Sequence, residues 1–235
     1  MPESDRLAPR LSDPATVLDE DVFMVARVVK RGDAERVAKE AITGGMLRPD
    51  DIGDAQIDDM MLAWVPLWRV DVTVEGFNLG LTRVRGAMLP TGGARHRDDI
   101  HVLLGRRLLA VDPTAKVTIE PGDLSPCPTH RPPGGEVVQP DVDRDEAERE
   151  ACEAIRRSVQ GGNALFSKFE ARVRSAALVY YPLMLVRYRY SGAASDGAAP
   201  DECHVAISGK TGKIVSAKHP SAWRSIGAKV KKWFG

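Results

Sequence analysis

The stretch WVPLWRVDVTVEG (64–76) decides the predicted fold, because a second stretch, YYPLMLVRYRYSG (180–192), repeats its pattern at an offset of 116. The three valines of the first stretch alternate with polar residues, and a period of two is typical of a half-buried strand. The sequence therefore predicts the same strand twice. The matched pairs are Trp64 and Tyr180, Pro66 and Pro182, Leu67 and Leu183, Val70 and Val186, Val72 and Tyr188, Val74 and Tyr190, and Gly76 and Gly192.

Each of the two stretches follows a predicted helix. Residues 34–42 form the first helix, with Asp33 as its cap, and residues 146–159 form the second, with Asp143 or Asp145 as its cap. A Gly-Gly pair follows each helix, as expected at a helix C-terminus.

Gly76 is interpreted as a turn, so that residues 77–86 return as the second strand of a hairpin. Proline cannot donate a hydrogen bond to a sheet ladder, so Pro66 and Pro182 are expected at a strand start or a sheet edge. The predicted fold class is α+β, with two related helix-plus-antiparallel-hairpin units from an internal duplication and a C-terminal amphipathic helix. The alternative is two unrelated strands that share hairpin chemistry.

Residues 121–140 contain six prolines and three glycines, a density that favours a linker or a long surface loop between the units. Two further strands are predicted, at residues 98–105 and 116–120. For the first of them, a helix through Leu109 is the alternative. Residues 204–209 and 213–217 are predicted to form a hairpin. The predicted organisation is a flexible N-terminal arm (1–13), a first α+β unit (14–120), the linker (121–140), a second α+β unit (141–220) and a basic C-terminal helix (221–235).

The composition excludes some classes of function. Lys and Arg number 33, as do Asp and Glu, and a chain with zero net charge is a poor candidate for binding nucleic acid. Three scattered cysteines indicate a reducing compartment, and the polar N-terminus has no apolar segment typical of a secretion signal. The expected location is therefore the cytoplasm, with a peripheral position at the inner membrane as the alternative.

The C-terminal residues 221–235 form a predicted helix with an apolar stripe and a basic face. This pattern is typical of interfacial anchors and of peptides that dock in a groove, although such a stripe also packs on a protein's own sheet. The predicted contact residues for a protein partner or a membrane are Trp223, Ile226, Val230, Trp233, Phe234, Lys229, Lys231 and Lys232.

The segments YPLMLVRYRYSG and HVAISGKTGKIVSAKHPS resemble the C-terminal body of bacterial zinc-ribbon-domain proteins of uncharacterised function. The matching residues, in order, are Gly209, Thr211, Gly212, Lys213, Pro220 and Ser221; upstream, LAWVPLWRV resembles the aromatic-proline strand of such proteins. The chain contains no Cys-x2-Cys pair, so the zinc ribbon is missing. The resemblance implies an interaction or membrane-proximal role, without zinc.

No motif predicts catalysis. Cys127 and His130 have ligand spacing, but the adjacent Cys203 and His204 face opposite sides of a strand, which disfavours a shared zinc site. The sequence SGKTGK (208–213) lies between two strands, whereas a phosphate-binding loop leads into a helix. We therefore predict a non-enzymatic scaffold or interaction protein, with no catalytic residue, metal or cofactor, that docks on a protein partner. The alternatives are a peripheral protein that binds anionic lipid, and an enzyme of unknown chemistry.

Overall fold

The structure is a computed structural model that describes residues 21–44, 55–84, 87–107, 111–127, 129–159, 164–190 and 201–218. These residues form eight strands, two α-helices and two short 3-10 helices. The strands are β1 (Val22–Val25), β2 (Gln56–Val84), β3 (Ala87–Leu104), β4 (Leu124–Pro126), β5 (Glu136–Val137), β6 (Ala164–Tyr190), β7 (Asp201–Ser208) and β8 (Ile214–Lys218). The α-helices are α1 (Arg31–Thr43) and α2 (Arg144–Val159), and the 3-10 helices are Thr114–Lys116 and Pro121–Asp123.

All eight strands belong to one mixed sheet with the central order β3-β2-β6-β1-β4. The long strands β2 and β6 pair antiparallel from Gln56 opposite Arg189 to Gly80 opposite Ala164. β7 extends the sheet from one end of β6, and β8 pairs with β7. The two short strands β1 and β5 pair in parallel with β6 and β2, respectively.

The prediction of two helix-plus-hairpin units is therefore wrong. The two repeated stretches pair with each other in the middle of the single sheet, where Trp64 lies opposite Pro182 and Pro66 lies opposite Tyr180. Each helix also covers the strands of the other stretch. The alternation of apolar and polar residues along a strand shows which residues share a face. It does not show which other strand pairs with it, because the pairing partners lie far apart in the sequence.

Three hydrophobic clusters hold the sheet together. Helix α2 covers the even-numbered side chains of β2, including Trp68 and Val72, and helix α1 covers β6 and β7 around Val186 and Tyr188. On the opposite face, Val117 and Ile119 pack on the odd-numbered side chains of β2 and their neighbours in β6. The body of the protein is thus a sheet covered on both faces.

Gly76 is not a turn, which corrects the predicted hairpin. β2 continues straight through Gly76 to Val84, and the return strand is β3. A Cβ atom at Gly76 would lie 2.1 Å from the backbone oxygen of Lys168 in β6. The glycine therefore permits a close approach of two strands, which is the other common reason for glycine inside a strand.

Pro66 and Pro182 lie inside central strands, not at a strand start or on a sheet edge. Each is tolerated because the neighbouring strand ends beside it. The Pro66 carbonyl accepts a 2.8 Å hydrogen bond from the Gly105 N–H, at the end of β3, and the Pro182 carbonyl accepts a 2.8 Å bond from Gly209, at the end of β7. Beside each proline the neighbouring strand changes, from β3 to β5 along β2 and from β7 to β1 along β6, so the missing N–H falls in the gap between two ladders.

Several local predictions are confirmed. Both helices are present, and Asp143 caps α2 through a 2.7 Å hydrogen bond from the Glu146 N–H to its carboxylate. Residues 98–104 are strand, and β7 and β8 form the expected hairpin. Residues 116–120, by contrast, form no strand, and residues 121–140 contribute β4 and β5 to the sheet. The predicted N-terminal arm (1–13) and C-terminal helix (221–235) lie outside the described residues.

Candidate interaction surface at the tip of a β arm

Three strands extend beyond the helices and form a projection, here called the β arm. It comprises residues 76–84 of β2, 87–95 of β3 and 164–169 of β6. Helix α2 ends at Val159, which lines the same cleft as Val74 at the base of the arm. Eight steps along β2, at about 3.3 Å each, give the arm a length of about 26 Å.

The arm is built with close contacts between its strands. Gly92 has a φ angle of 143°, and a Cβ atom at this position would lie 2.0 Å from the Asn78 carbonyl oxygen in β2. Only glycine fits such a backbone. With Gly76 on the other side of β2, a glycine allows close approach at both interfaces of the three-stranded arm.

In the described structure, the apolar face of the arm is about half exposed. Leu79 lies directly opposite Phe166 and is 51% exposed, while Phe166 is 53% exposed. The Phe77 and Phe166 rings are 5.5 Å apart between centroids. Together with Leu81, these side chains form one surface, here called the tip face.

Most of the strongly exposed large apolar side chains among the described residues lie in the arm. Seven of the nine such residues among those described belong to it, so the surface is a patch and not ordinary scatter. Met88, Leu89 and Leu165 are the other three exposed apolar residues of the arm. Leu89 lies opposite Thr82, which places it on the other face of the sheet, and Leu165 lies at a register irregularity.

A band of exposed charged and polar side chains, here called the polar collar, crosses the three strands at the base of the tip face. Thr73 donates a 2.6 Å hydrogen bond to Asp98, and this bond is the main cause that lowers the Asp98 pKa. The other contacts are His96 with Glu75 at 3.2 Å, Arg172 with Glu170 at 3.2 Å and Arg174 with Asp98 at 3.3 Å. The collar marks a sharp boundary between polar and apolar surface.

The arm is positively charged. Among the arm's described side chains there is no Asp or Glu, while Arg95 and Lys168 are basic. Arg95 and Arg97 also line an open cleft of about 440 Å³ between the end of α2 and the arm. The surface therefore combines exposed apolar groups with cations.

Sequence reasoning missed this surface. The signal was present, since the apolar alternation moves from even positions (Val70, Val72, Val74) to odd positions (Phe77, Leu79, Leu81) at Gly76. A change of phase within one continuous strand exposes a new apolar face. Because Gly76 was assigned to a turn, residues 70–74 and 77–81 were interpreted as two strands, and the change of phase within one strand was not recognised. The contact residues predicted in the C-terminal segment, from Trp223 to Phe234, lie outside the described residues.

The candidate zinc ligands do not come together in the described structure. Cys127 belongs to the cluster under α2, and Cys203 belongs to the cluster under α1. Among residues that the structure describes, no three His, Cys, Asp or Glu side chains are grouped to hold a metal. Burial raises the pKa of the Cys127 thiol, which disfavours the reactive thiolate.

The SGKTGK segment forms the turn between β7 and β8. Gly212 adopts a φ angle of 72°, as this tight turn requires. The Lys210 ammonium is paired with the Asp123 carboxylate, so its charge is already compensated.

Tyr180, under α2, has a buried hydroxyl that makes no hydrogen bond with the described residues, and burial raises its pKa to about 12.

No protein-family model, curated protein or solved structure matches this chain. The resemblance to zinc-ribbon-domain proteins therefore stays a prediction. Within the described part of the chain, no helix has both the length and the apolar character required to cross a membrane.

Proposed function

We propose that this chain is a non-enzymatic interaction protein that docks on a larger cellular structure through the tip of its β arm. The observation that supports this proposal is the tip face, where Phe77, Leu79 and Phe166 are exposed side by side. Large contiguous apolar patches are uncommon on monomeric proteins and mark interaction sites.

The tip face has enough exposed apolar surface for docking. Full burial of one Leu or Phe side chain contributes about 1.5–3 kcal/mol, and the four side chains of the tip face are roughly half exposed. Their burial would therefore contribute about 3–6 kcal/mol in total before the cost of association. This range suits a reversible contact.

The arm is also preorganised for binding. Its central strand has a partner strand on each side, and the Phe77–Phe166 contact orders two of the exposed rings. A surface that is already ordered loses little conformational entropy when a partner covers it. The arm is therefore an ordered surface attached to the covered part of the sheet.

A matched pair of variants tests the proposal. Leu79→Asp places a carboxylate on the tip face, whereas Val28→Asp places the same charge at an exposed apolar residue outside the arm. In extracts of the native cell, we expect the wild-type protein and Val28→Asp to sediment with a large fraction. Leu79→Asp should sediment as free protein and retain its melting temperature. Equal sedimentation of both variants would refute docking through the tip face.

The predicted C-terminal contact is tested in the same experiment. Trp233→Ser removes one aromatic residue from the basic segment 221–235. If Trp233→Ser is released while Leu79→Asp stays in the large fraction, docking occurs through the C-terminal segment and the proposal for the arm is wrong.

A further inference from the structure

We infer that the tip of the β arm binds the surface of an anionic lipid bilayer, with its apolar side chains in the interfacial region and its cations at the lipid phosphates. This inference rests on the proposed function, because it names the partner of the same surface.

The distribution of exposed apolar residues favours a bilayer over a protein partner. Leu79 and Phe166 lie on the tip face, whereas Leu89 is 47% exposed on the opposite face of the arm. A protein usually covers one face of a sheet. A bilayer surrounds an inserted tip and therefore contacts both faces.

The charges fit the headgroups of anionic lipids. Among the described side chains of the arm, Arg95 and Lys168 are cations and none is a carboxylate, and Lys168 lies directly opposite Phe77 on the tip face. A lysine can place its aliphatic stem along apolar surface while its ammonium reaches the phosphates. Each cation near an anionic surface contributes about fivefold in affinity.

The dimensions fit a peripheral position. From Phe77 to Val84 the strand rises by about 23 Å, so an arm inclined at a shallow angle to the bilayer surface keeps its apolar side chains within the depth of about 5–10 Å that interfacial segments reach. Just beyond Phe77, the Glu75–His96 pair of the polar collar would remain in water. The arm therefore reaches the interface and stops there.

The experiment measures co-sedimentation of the purified full chain with vesicles of phosphatidylcholine, with and without phosphatidylglycerol. We expect binding only to the anionic vesicles, weakened by salt. The double variant Leu79→Ser with Phe166→Ser should lose at least about tenfold in affinity. Lys168→Gln and Arg95→Gln should each lose about fivefold.

Two controls keep the result specific to the arm. Ile100→Ser changes an exposed apolar residue of β3 outside the arm, and Arg36→Gln removes an exposed cation from α1. Both should bind vesicles as the wild type does. Melting temperatures of all variants verify that they are folded.

Three results would overturn the inference. The first is no binding of the wild type to anionic vesicles, and the second is an equal loss in Ile100→Ser and the tip-face variant. The third is binding lost in Trp233→Ser and kept in the tip-face variant, which would assign it to the C-terminal segment. If vesicles do not bind but Leu79→Asp is still released from its cellular fraction, the partner is a protein and the proposed function stands. If Leu79→Asp is not released either, both proposals fail.

Discussion

The same two strands, β2 and β6, run through two regions of different character. In the body, Val70, Val72 and Val74 are buried under α2, and residues 111–124 cover the opposite face. In the arm, the antiparallel pairing continues, with a register shift between Leu79 and Gly80, while Phe77, Leu79 and Phe166 are exposed. Backbone hydrogen bonds thus extend a sheet beyond its core, but only covered strands gain stability from burial.

A charge placed in each region gives the largest expected contrast. Val72→Asp buries an unpaired carboxylate under α2 and should lower the free energy of unfolding by about 3–5 kcal/mol. Leu79→Asp leaves its charge in water and should cost less than about 1 kcal/mol. Urea unfolding of both variants measures the difference. Similar losses would mean that the arm is covered in the intact protein.

Two glycines provide the next contrast. A Cβ atom at Gly105 would lie 2.9 Å from both the Cβ and the carbonyl oxygen of Pro66, whereas Gly93 in the arm has no atom within 4 Å of the added carbon. Gly105→Ala should therefore cost about 1–3 kcal/mol, and Gly93→Ala less than about 0.5 kcal/mol. Thermal unfolding tests this, and a destabilised Gly93→Ala would indicate closer packing in the arm.

Two adjacent buried tyrosines of the body differ in whether their hydroxyl groups are hydrogen-bonded. Tyr181 and Ser208 share a 2.7 Å hydrogen bond between their hydroxyls, whereas the buried Tyr180 hydroxyl makes none with the described residues. Tyr181→Phe should therefore cost about 1 kcal/mol, and Tyr180→Phe should be neutral or slightly stabilising. Urea unfolding distinguishes them. A clear loss in Tyr180→Phe would show that its hydroxyl has a partner.

The smallest expected effect concerns pH. The hydrogen bond from Lys210, followed by that from the Glu120 N–H, lowers the pKa of Asp123 in the folded body. A carboxyl whose folded pKa is below its unfolded value, which is near 4, stabilises the protein fully above that value. This contribution is lost as the pH falls through the lower folded pKa. Asp123→Asn should therefore reduce the loss of stability between neutral and acidic pH, measured by urea unfolding at several pH values. An unchanged pH profile would contradict the role of this pair.

Local features of the fold were predictable because neighbours in sequence determine them. Helix α2 follows from its capping Asp143 and from Ala147, Ala151 and Ile155, which recur at helical spacing and are buried. The β7–β8 hairpin follows from the turn at Gly212, whose φ angle is 72°. The candidate surface was predictable only in part, because the change of phase after Gly76 is visible in the sequence while the exposure of the new apolar face in the described structure is not.

By itself, the sequence determined the two helices, the alternation of Val70, Val72 and Val74 on one strand face, and the excess of cations in residues 76–95. Only the tertiary structure decided that Gly76 lies inside a strand, because the reason for that glycine is the Lys168 backbone, far away along the chain. It also decided that the two repeated stretches pair with each other and that α2 ends before the arm. The physical reason is that side-chain periodicity is local, whereas the choice of a strand partner and of a covering helix depends on contacts between distant segments.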